Sequence, residues 1–309
     1  MKKWTTADMP SQAGKRAVIT GATGGLGYET SLELARAGAD VILTGRTEAK
    51  GRAAIERIRR EVPGATVRFD NIDLANLQSI KLGAERLLAE DRPIDILVNN
   101  AGVMMLPKHE FTADNFERQF GTNYLSHFAL TARLLPVLRK SSAPRVVNLS
   151  SIAHRRGKID FANLQGERVY KAWTAYEQSK LAMLIFALEL QRKSDAAGWR
   201  LMSNAAHPGF ARTDLIANGP GNSNVVSLVS AAMKPFLSHS ATAGALPTLY
   251  AATSPDARPA AYYGPDGFQE MKGSPSEARI FPQAMDAAVG AKLWGISERL
   301  TGVRWPEKA

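Results

Sequence analysis

The sequence contains no cysteine, and this absence excludes several kinds of chemistry at once. Without thiols there is no disulfide framework, no thiolate nucleophile and no zinc or iron–sulfur site held by cysteine. Long hydrophobic runs are also missing, because the most apolar stretch, LAMLIFALEL at 181–190, is too short to span a bilayer and contains Glu189. The first residues include lysines but no apolar signal-like core, so we expect a cytoplasmic protein without a membrane span.

Acidic residues are in the minority, since 29 Asp and Glu face 39 Lys and Arg and leave a formal net charge of +10. Such an excess fits either a nucleic-acid surface or diffuse charge around a site for an anionic cofactor. The basic residues are scattered, with only short clusters such as RIRREV and HRRGK, and aromatic residues do not interleave with them. We therefore expect no nucleic-acid partner. No His, Asp or Glu spacing indicates a metal site.

Strand-like and helix-like segments alternate along most of the 309 residues. Short β-favouring runs occur in the order KRAVIT, DVILTG, TVRFDNIDL, IDILVNNAG, PRVVNLSS and RLMSNAAHPG, and amphipathic segments separate them. This alternation predicts an α/β fold with a doubly wound, Rossmann-type parallel sheet. No linker divides the series, so we expect a single domain over 1–309, with a core at about 15–265 and a helical tail at about 275–309.

The second half of the chain gives less regular signals. We expect a largely helical segment at 112–140, interrupted near Gly121, and a long helix around Tyr176. The stretch at about 210–240 breaks the rhythm: ANGPGNSN indicates a flexible turn, and VVSLVSAAMKPF a short apolar helix that could cover a substrate. A last short strand in AYYGPDG and a closing helix in MDAAVGAKLWGISERLTG complete the prediction.

A glycine-rich segment, TGATGGLG at 20–27, joins the first strand to the first helix. Glycines at such a junction permit a tight turn and close approach of the backbone to a pyrophosphate, which the helix N-terminus favours electrostatically. The spacing fits T-G-x-x-x-G-x-G through Gly21, Gly25 and Gly27. Because Gly24 is also glycine, T-G-x-x-G-x-x-G fits equally well. A plain glycine-rich turn is the alternative.

The segment YEQSK places Tyr176 and Lys180 four residues apart in a helical pattern, so both side chains project from one face. Alone, this pair fits any amphipathic helix. In the company of TGATGGLG, NNAG at 99–102, VNLSS at 147–151 and HPG at 207–209, in that order, it resembles the short-chain dehydrogenase/reductase family. The stretches NLSSIAHRRGKIDFANLQGE and AYEQSKLAMLIFALEL are similar to the retinol-dehydrogenase-like and WW-domain-oxidoreductase-like branch.

The resemblance implies an NADP(H)-dependent oxidoreductase that interconverts a carbonyl and an alcohol. The T-G-x-x-G-x-x-G spacing keeps an extended-branch epimerase or dehydratase open as an alternative, although NNAG and HPG favour the reductase. A non-enzymatic NADP(H)-binding sensor is a second alternative, against which the Ser151, Tyr176 and Lys180 set argues. The family also implies a homo-oligomer paired through the helices around Asn123 and Tyr176.

The cofactor type follows from the end of the second strand, where an acidic side chain would bind the ribose 2′-hydroxyl of NAD(H) and an arginine would suit a 2′-phosphate. This chain has Gly45 and Arg46 there, which favours NADP(H) over NAD(H), unless Arg46 is a solvated loop residue. The resemblance implies the following cofactor-binding residues: Gly21, Thr23, Gly25, Leu26, Gly27, Arg46, Asp73, Leu74, Asn99, Ala101, Gly102, Tyr176, Lys180, Pro208, Gly209 and Thr213.

The expected chemistry centres on Tyr176, whose free pKa near 10 is too high for efficient proton exchange at neutral pH. A nearby Lys180 ammonium and an oxidised nicotinamide would both lower that pKa. Tyr176 would then donate a proton to a carbonyl or accept one from an alcohol. By resemblance, Ser151 rather than Ser150 is the second donor to the oxygen, and Asn123 supports a water that links the lysine to solvent.

The substrate is the least specified feature of the sequence. Apolar residues in VMMLP at 103–107, with Trp173, Phe210 and VVSLVSAAMKPF, could form a cover over the nicotinamide, or could equally be core. We expect an apolar small-molecule carbonyl or alcohol. His127 and His154 are expected to be packing or surface residues.

Overall fold

The computed structural model describes residues 3–210 and 239–306. Its strands are β1 (Arg16–Thr20), β2 (Asp40–Gly45), β3 (Val67–Asn71), β4 (Ile96–Asn99), β5 (Arg145–Leu149), β6 (Met202–Ala206), β7 (Tyr262–Pro265) and β8 (Pro275–Glu277). Its helices are α1 (Gly25–Arg36), α2 (Glu48–Glu61), α3 (Leu77–Ala89), α4 (Arg118–Phe120), α5 (Ser126–Leu138), α6 (Ala172–Ala197), α7 (Ala241–Thr253), α8 (Pro282–Met285) and α9 (Ala287–Thr301).

The strands form one 8-stranded sheet in the order β3-β2-β1-β4-β5-β6-β7-β8. All neighbouring pairs are parallel except β7 with β8, which is antiparallel. The chain leaves β3 at one edge and returns to the centre at β4, so the winding direction reverses between β1 and β4. In open parallel sheets, ligands bind outside the carboxyl ends of the strands at this reversal. The predicted doubly wound α/β fold in a single domain is confirmed.

Both faces of the sheet are buried, because alternate strand residues point to opposite sides. Val18, Ile42 and Leu97 belong to a core shared with α3, α5, α6 and α9. Their strand neighbours, including Ile19 and Leu43, pack with α1, α2 and α7 on the other side. This two-sided burial explains why the strands of the sequence are nearly continuous apolar runs.

The helix predicted over 112–140 begins later than expected. Residues 111–117 form a turn closed by an isolated bridge between Phe111 and Glu117. The Glu117 carboxylate then accepts the N–H groups of Gln119 and Phe120 and so caps α4. The interruption predicted near Gly121 is confirmed as a π-helical turn, Gly121–Leu125, which joins α4 to α5.

Two described elements were not anticipated, α7 and β8. Helix α7 is ATAGALPTLYAAT, which has little polar face to mark a helical period because it is largely buried beneath the sheet. Strand β8 is only 3 residues long and pairs at the sheet edge. The predicted turn ANGPGNSN and apolar helix VVSLVSAAMKPF lie outside the described residues.

Candidate active site

A cleft of about 940 Å³ opens at the carboxyl ends of the parallel strands. It is lined by the residues that follow each strand: Gly21 after β1, Arg46 after β2, Asp73 after β3, Ala101 after β4 and Ser151 after β5. The cleft therefore crosses the point where the sheet winding reverses, and every wall comes from a different strand–helix connection.

The glycine turn forms one end of the cleft. Gly21 adopts a φ of +64°, and a Cβ there would lie 2.9 Å from the Cα of Ala101. At Gly27 a Cβ would lie 2.5 Å from the side-chain nitrogen of Asn100. Helix α1 begins immediately after Gly24, which has no side chain to cap the first N–H groups. These amides therefore face the cleft region as an anion site, and the cradle fits a dinucleotide pyrophosphate.

A hydrogen-bonded network holds the NNAG turn against the glycine turn. The Thr20 hydroxyl accepts the N–H groups of Asn100 at 2.9 Å and Ala101 at 3.0 Å, and the Asn100 amide donates to the Thr20 carbonyl at 2.7 Å. His127 completes the network: one ring nitrogen lies 2.8 Å from the Thr20 hydroxyl and the other 2.8 Å from the Asn123 carbonyl. His127 is fully buried, so the expected packing role understates its contacts.

Asn99 does not line the cleft. Its side chain is fully buried and donates to the Thr131 hydroxyl at 3.0 Å and to the Asn148 side-chain oxygen at 2.9 Å. The side chain of Asn99 therefore acts inside the sheet, and a contact of this residue with the cofactor stays a prediction. The next residue, Asn100, reaches the cleft wall instead.

Arg46 is the first residue after β2, and its exposed side chain lines the cleft. The nearest carboxylate in sequence, Glu48, is paired with Arg52 at 2.7 Å. Asp73 lines the same region, and its carboxylate accepts the N–H of Ala75 at 2.9 Å. Asp73 does not cap α3, because Asn76 holds that position.

Tyr176 and Ser151 meet at the other end of the cleft. Tyr176 is buried and lines the cleft together with Ser151, whose hydroxyl accepts the N–H of Ala153 at 3.2 Å. Ser150 differs, because it is buried and its hydroxyl donates to the Lys180 carbonyl at 2.7 Å. Of the two serines, Ser151 is the one whose side chain lowers the pKa of Tyr176, against the larger effect of burial.

Lys180 lies close to Tyr176, with its Nζ 5.8 Å from the centre of the phenol ring and donating to the Leu149 carbonyl at 3.1 Å. Burial lowers the pKa of Lys180 to about 8. Burial also raises the pKa of Tyr176 to about 12, against the opposing hydrogen bond from Ser151. In the protein alone, burial therefore dominates the pKa of Tyr176, and the lowering expected from Lys180 together with an oxidised nicotinamide stays a prediction for the complex.

Asn123 lies behind the cleft wall in the π-helical turn. Its side-chain oxygen accepts the N–H of Val103 at 2.7 Å, and its nitrogen donates to the Val103 carbonyl and to the Ser179 hydroxyl, both at 2.9 Å. The side chain thus ties the cleft loop at Val103 to helix α6 beside Lys180.

The walls near Tyr176 are apolar. Of the apolar residues that the sequence left open between cover and core, Val103, Met104, Met105, Trp173 and Phe210 line the cleft. Arg155 and Arg156, in the segment HRRGKID that could border the entrance according to the sequence, line the cleft as well. The sequence did not indicate three further lining residues, because no motif marks their positions: Arg118, Gln269 and Met271.

Most of the predicted site residues converge on this one cleft. Those that line it are Gly21, Thr23, Gly25, Leu26, Gly27, Arg46, Asp73, Leu74, Ala101, Gly102, Ser151, Tyr176, Lys180, Pro208 and Gly209. Asn99 and Asn123 lie behind its wall, and Thr213 falls outside the described residues. Over residues 3–210 and 239–306, no group of acidic residues and histidines could hold a metal ion. In the same ranges, no helix has the length and apolarity that a bilayer crossing requires.

A reversed parallel sheet, a glycine cradle at a helix N-terminus and a Ser–Tyr–Lys group in the same cleft define a nicotinamide-dependent oxidoreductase of alcohols and carbonyls. The chain belongs to the short-chain dehydrogenase family, whose model matches residues 15–220. The expected resemblance to the retinol-dehydrogenase-like branch is confirmed. Human retinol dehydrogenase 13 is 40% identical over 302 residues, which cover 96% of this chain and 88% of that protein.

Solved structures agree with this assignment. An uncharacterized protein from Mycobacterium paratuberculosis matches with a TM-score of 0.81 and 38% identity, over 99% of this chain and 100% of that one. A short chain dehydrogenase from Shigella flexneri, solved in complex with NADP, matches with a TM-score of 0.64 and 25% identity, over 82% of this chain and 97% of that one. The non-enzymatic alternative is therefore set aside.

Proposed function

We propose that this protein is an NADP(H)-dependent oxidoreductase that acts on an apolar carbonyl or alcohol, with Ser151, Tyr176 and Lys180 as its catalytic residues. The observation that carries the proposal is the placement of these residues in a single cleft with the glycine turn and Arg46. When bound, the cofactor would supply the hydride in reduction or accept it in oxidation. The protein's own residues would handle the proton and the charge on the substrate oxygen.

Tyr176 would donate its phenolic proton to the carbonyl oxygen during reduction, and accept one from the alcohol during oxidation. The Ser151 hydroxyl, which lines the same cleft, would donate to the same oxygen and stabilise its developing negative charge. When Lys180 is protonated, its positive charge would favour the tyrosinate that forms once Tyr176 has given up its proton. Asn123 bonds both Val103 and Ser179, and would thereby hold the cleft loop in a fixed position against α6, the helix that carries Tyr176.

The preference for NADP(H) rests on Arg46. Its guanidinium can pair with a phosphate through two hydrogen bonds, and Gly45 leaves no carboxylate where a 2′-hydroxyl would be bound. Glu48 is engaged with Arg52, so the acidic side chain nearest in sequence does not oppose a bound phosphate. The NADP complex of the Shigella flexneri relative supports the same preference.

The apolar substrate is supported by the wall near Tyr176. Met104 and Met105 line the same cleft as Tyr176, and the half-exposed ring of Trp173 has its centre 5.7 Å from that of Tyr176. Such side chains lose contact with water when a hydrocarbon binds, at about 25 cal/mol for each Å² buried. The relative named for retinol acts on a hydrocarbon-rich alcohol, which agrees with this wall.

The direct test mixes the protein with NADPH and a panel of lipophilic aldehydes and ketones and follows the absorbance of the reduced nicotinamide. We expect loss of NADPH with at least one member, and a fall of about 100-fold or more in turnover for Tyr176→Phe, because general acid catalysis contributes on that scale. NADPH binding, measured by fluorescence, should be unchanged in the variant. Undiminished turnover would remove Tyr176 from the mechanism.

A further inference from the structure

A charged cluster behind the cleft involves residues outside the catalytic group. One carboxylate oxygen of Glu270 lies 2.7 Å from the guanidinium of Arg155 and 2.9 Å from a ring nitrogen of His207. The other oxygen accepts the N–H of Arg279 at 3.1 Å. His207 is fully buried, and the side chains of Arg155 and Glu270 are only 19% and 20% exposed.

The contacts of His207 fix how its ring is protonated. Its Nδ1 accepts the N–H of Gly209 at 3.1 Å, so the proton of the neutral ring must sit on Nε2 and be donated to Glu270. Burial lowers the pKa of His207, which keeps the ring neutral. The chain Gly209–His207–Glu270 is thus a directed series of hydrogen bonds that begins on the backbone of the cleft wall.

The neighbouring backbone is shaped to hold this arrangement. Gln269 and Glu270 have φ values of +52° and +57°, in the left-handed region that costs non-glycine residues of order 1 kcal/mol or more. Gly209 has a φ of +66°, and a Cβ there would overlap the Met271 carbonyl. The Phe210 N–H donates to that same carbonyl at 2.7 Å. The loop and the HPG turn are therefore joined at two independent points.

We propose that Glu270 is a positioning residue for the cofactor, which acts through His207 on the Pro208–Gly209 turn and through Arg155 on the segment that follows Ser151. Pro208, Gly209 and Arg155 all line the cleft, whereas Glu270 does not. Removing the carboxylate leaves the His207 N–H without its acceptor and the Arg155 guanidinium without its ion-pair partner, while Arg155 keeps its hydrogen bonds to Gln269. The turn then loses its fixed orientation against the bound cofactor. This inference rests on the proposed NADP(H)-dependent function.

The test measures NADPH binding by fluorescence and steady-state kinetics for Glu270→Ala and Glu270→Gln. We expect Glu270→Ala to raise the Kd and the KM for NADPH by roughly tenfold, the scale of one hydrogen bond to a charged group. Glu270→Gln keeps an oxygen that can accept from His207 and should recover most of that loss. The matched control is Glu277→Ala, which removes an exposed carboxylate paired with Arg258 on the adjoining strand β8 and should leave binding unchanged.

A double variant separates positioning from general destabilisation. If Glu270 acts through His207, then Glu270→Ala combined with His207→Gln should bind NADPH no more weakly than the weaker single variant. Additive losses, or a Glu270→Ala enzyme with wild-type Kd and KM, would overturn the positioning role. If Glu270→Ala does not fold, the comparison is made with Glu270→Gln. NADPH binding that is as weak in this variant as in His207→Gln would also overturn the positioning role. Wild-type protein that fails to bind NADPH at all would overturn the proposed function, and the inference with it.

Discussion

The proposed preference for NADP(H) depends on a single residue, Arg46, on which the fold does not depend. It is exposed at the end of β2, on the wall of the cleft, and no buried packing depends on it. Its effect is therefore electrostatic: a guanidinium attracts a 2′-phosphate, whereas a carboxylate would repel the phosphate and accept the 2′-hydroxyl of NADH.

We expect Arg46→Asp to shift the ratio of kcat/KM for NADPH over NADH toward NADH by about 100-fold or more, since both a lost attraction and a new repulsion act on the phosphate. The ratio is measured with one carbonyl substrate at fixed ionic strength. Lys50→Asp is the matched control, because it makes the same charge change on exposed residue 50 of α2, away from the cleft lining. An equal shift in both variants would show a diffuse charge effect and not a phosphate site.

At the same scale, the sequence predicted the site better than it predicted the site's electrostatics. Gly21 and Gly27 are recognisable because a Cβ cannot fit there, and Tyr176 and Lys180 because helical spacing brings them together. The raised pKa of Tyr176 in the protein alone could not be predicted, because burial is a property of the folded molecule. Glu270 was missed because it is brought to the cleft by a loop beyond β7, which no local pattern connects with the HPG turn.

Among the elements, the π-helical turn at Gly121–Leu125 has the most direct consequence for the site. The Ser126 N–H donates to the Gly121 carbonyl, five residues earlier, so the helix is locally wider than an α-helix. Asn123 lies in this widened turn, fully buried, and links Val103 to Ser179 of α6. The turn therefore connects the cleft loop to the helix that carries Tyr176.

We expect Asn123→Ala to lower the free energy of unfolding by about 1–3 kcal/mol, because it leaves the partly buried N–H and carbonyl of Val103 without the Asn123 side chain as their partner. Turnover should fall as well, since the cleft loop loses its tie to α6. Urea unfolding and the NADPH assay measure the two effects. Asn163→Ala is the control, as Asn163 bonds only residues of its own partly exposed loop. Equal stability losses in the two variants would contradict the cross-link.

The strands and amphipathic helices were predictable as elements because their patterns follow burial. Runs such as VILTG match β2 because both faces of the sheet are covered. Helix α7 was missed for the opposite reason, because burial on most sides removes the polar face that marks a helical period. The start of α4 was misplaced because Glu117 ends a turn closed by a bridge to Phe111, a contact that sequence periodicity does not encode.

For the whole molecule, the sheet separates two apolar layers, and histidines are buried among them without charge. His127 is held between Thr20 and the Asn123 carbonyl, and burial lowers its pKa to about 4. His154 lies against Tyr262, and burial lowers its pKa to about 4 as well. Both rings must be deprotonated in the folded protein at neutral pH, whereas the unfolded chain protonates histidine near pH 6.5.

This difference predicts that acid destabilises the fold before ordinary carboxylates titrate. Between about pH 6.5 and 5 the unfolded chain binds more protons than the folded one, so the free energy of unfolding falls as pH falls, by up to about 1.4 kcal/mol per pH unit for each histidine. Burial raises the pKa of Glu117, so the folded protein binds a proton at this carboxyl at a higher pH than the unfolded chain does. This proton uptake opposes the loss of stability as the pH falls toward that pKa. In urea unfolding between about pH 6.5 and 5, the free energy of unfolding should depend less steeply on pH for His127→Gln than for the wild type. Between about pH 7 and 8 the histidines are neutral in both the folded and the unfolded state, so the two proteins should change in parallel there. Identical slopes for the two proteins below about pH 6.5 would show that His127 is not held neutral by the fold.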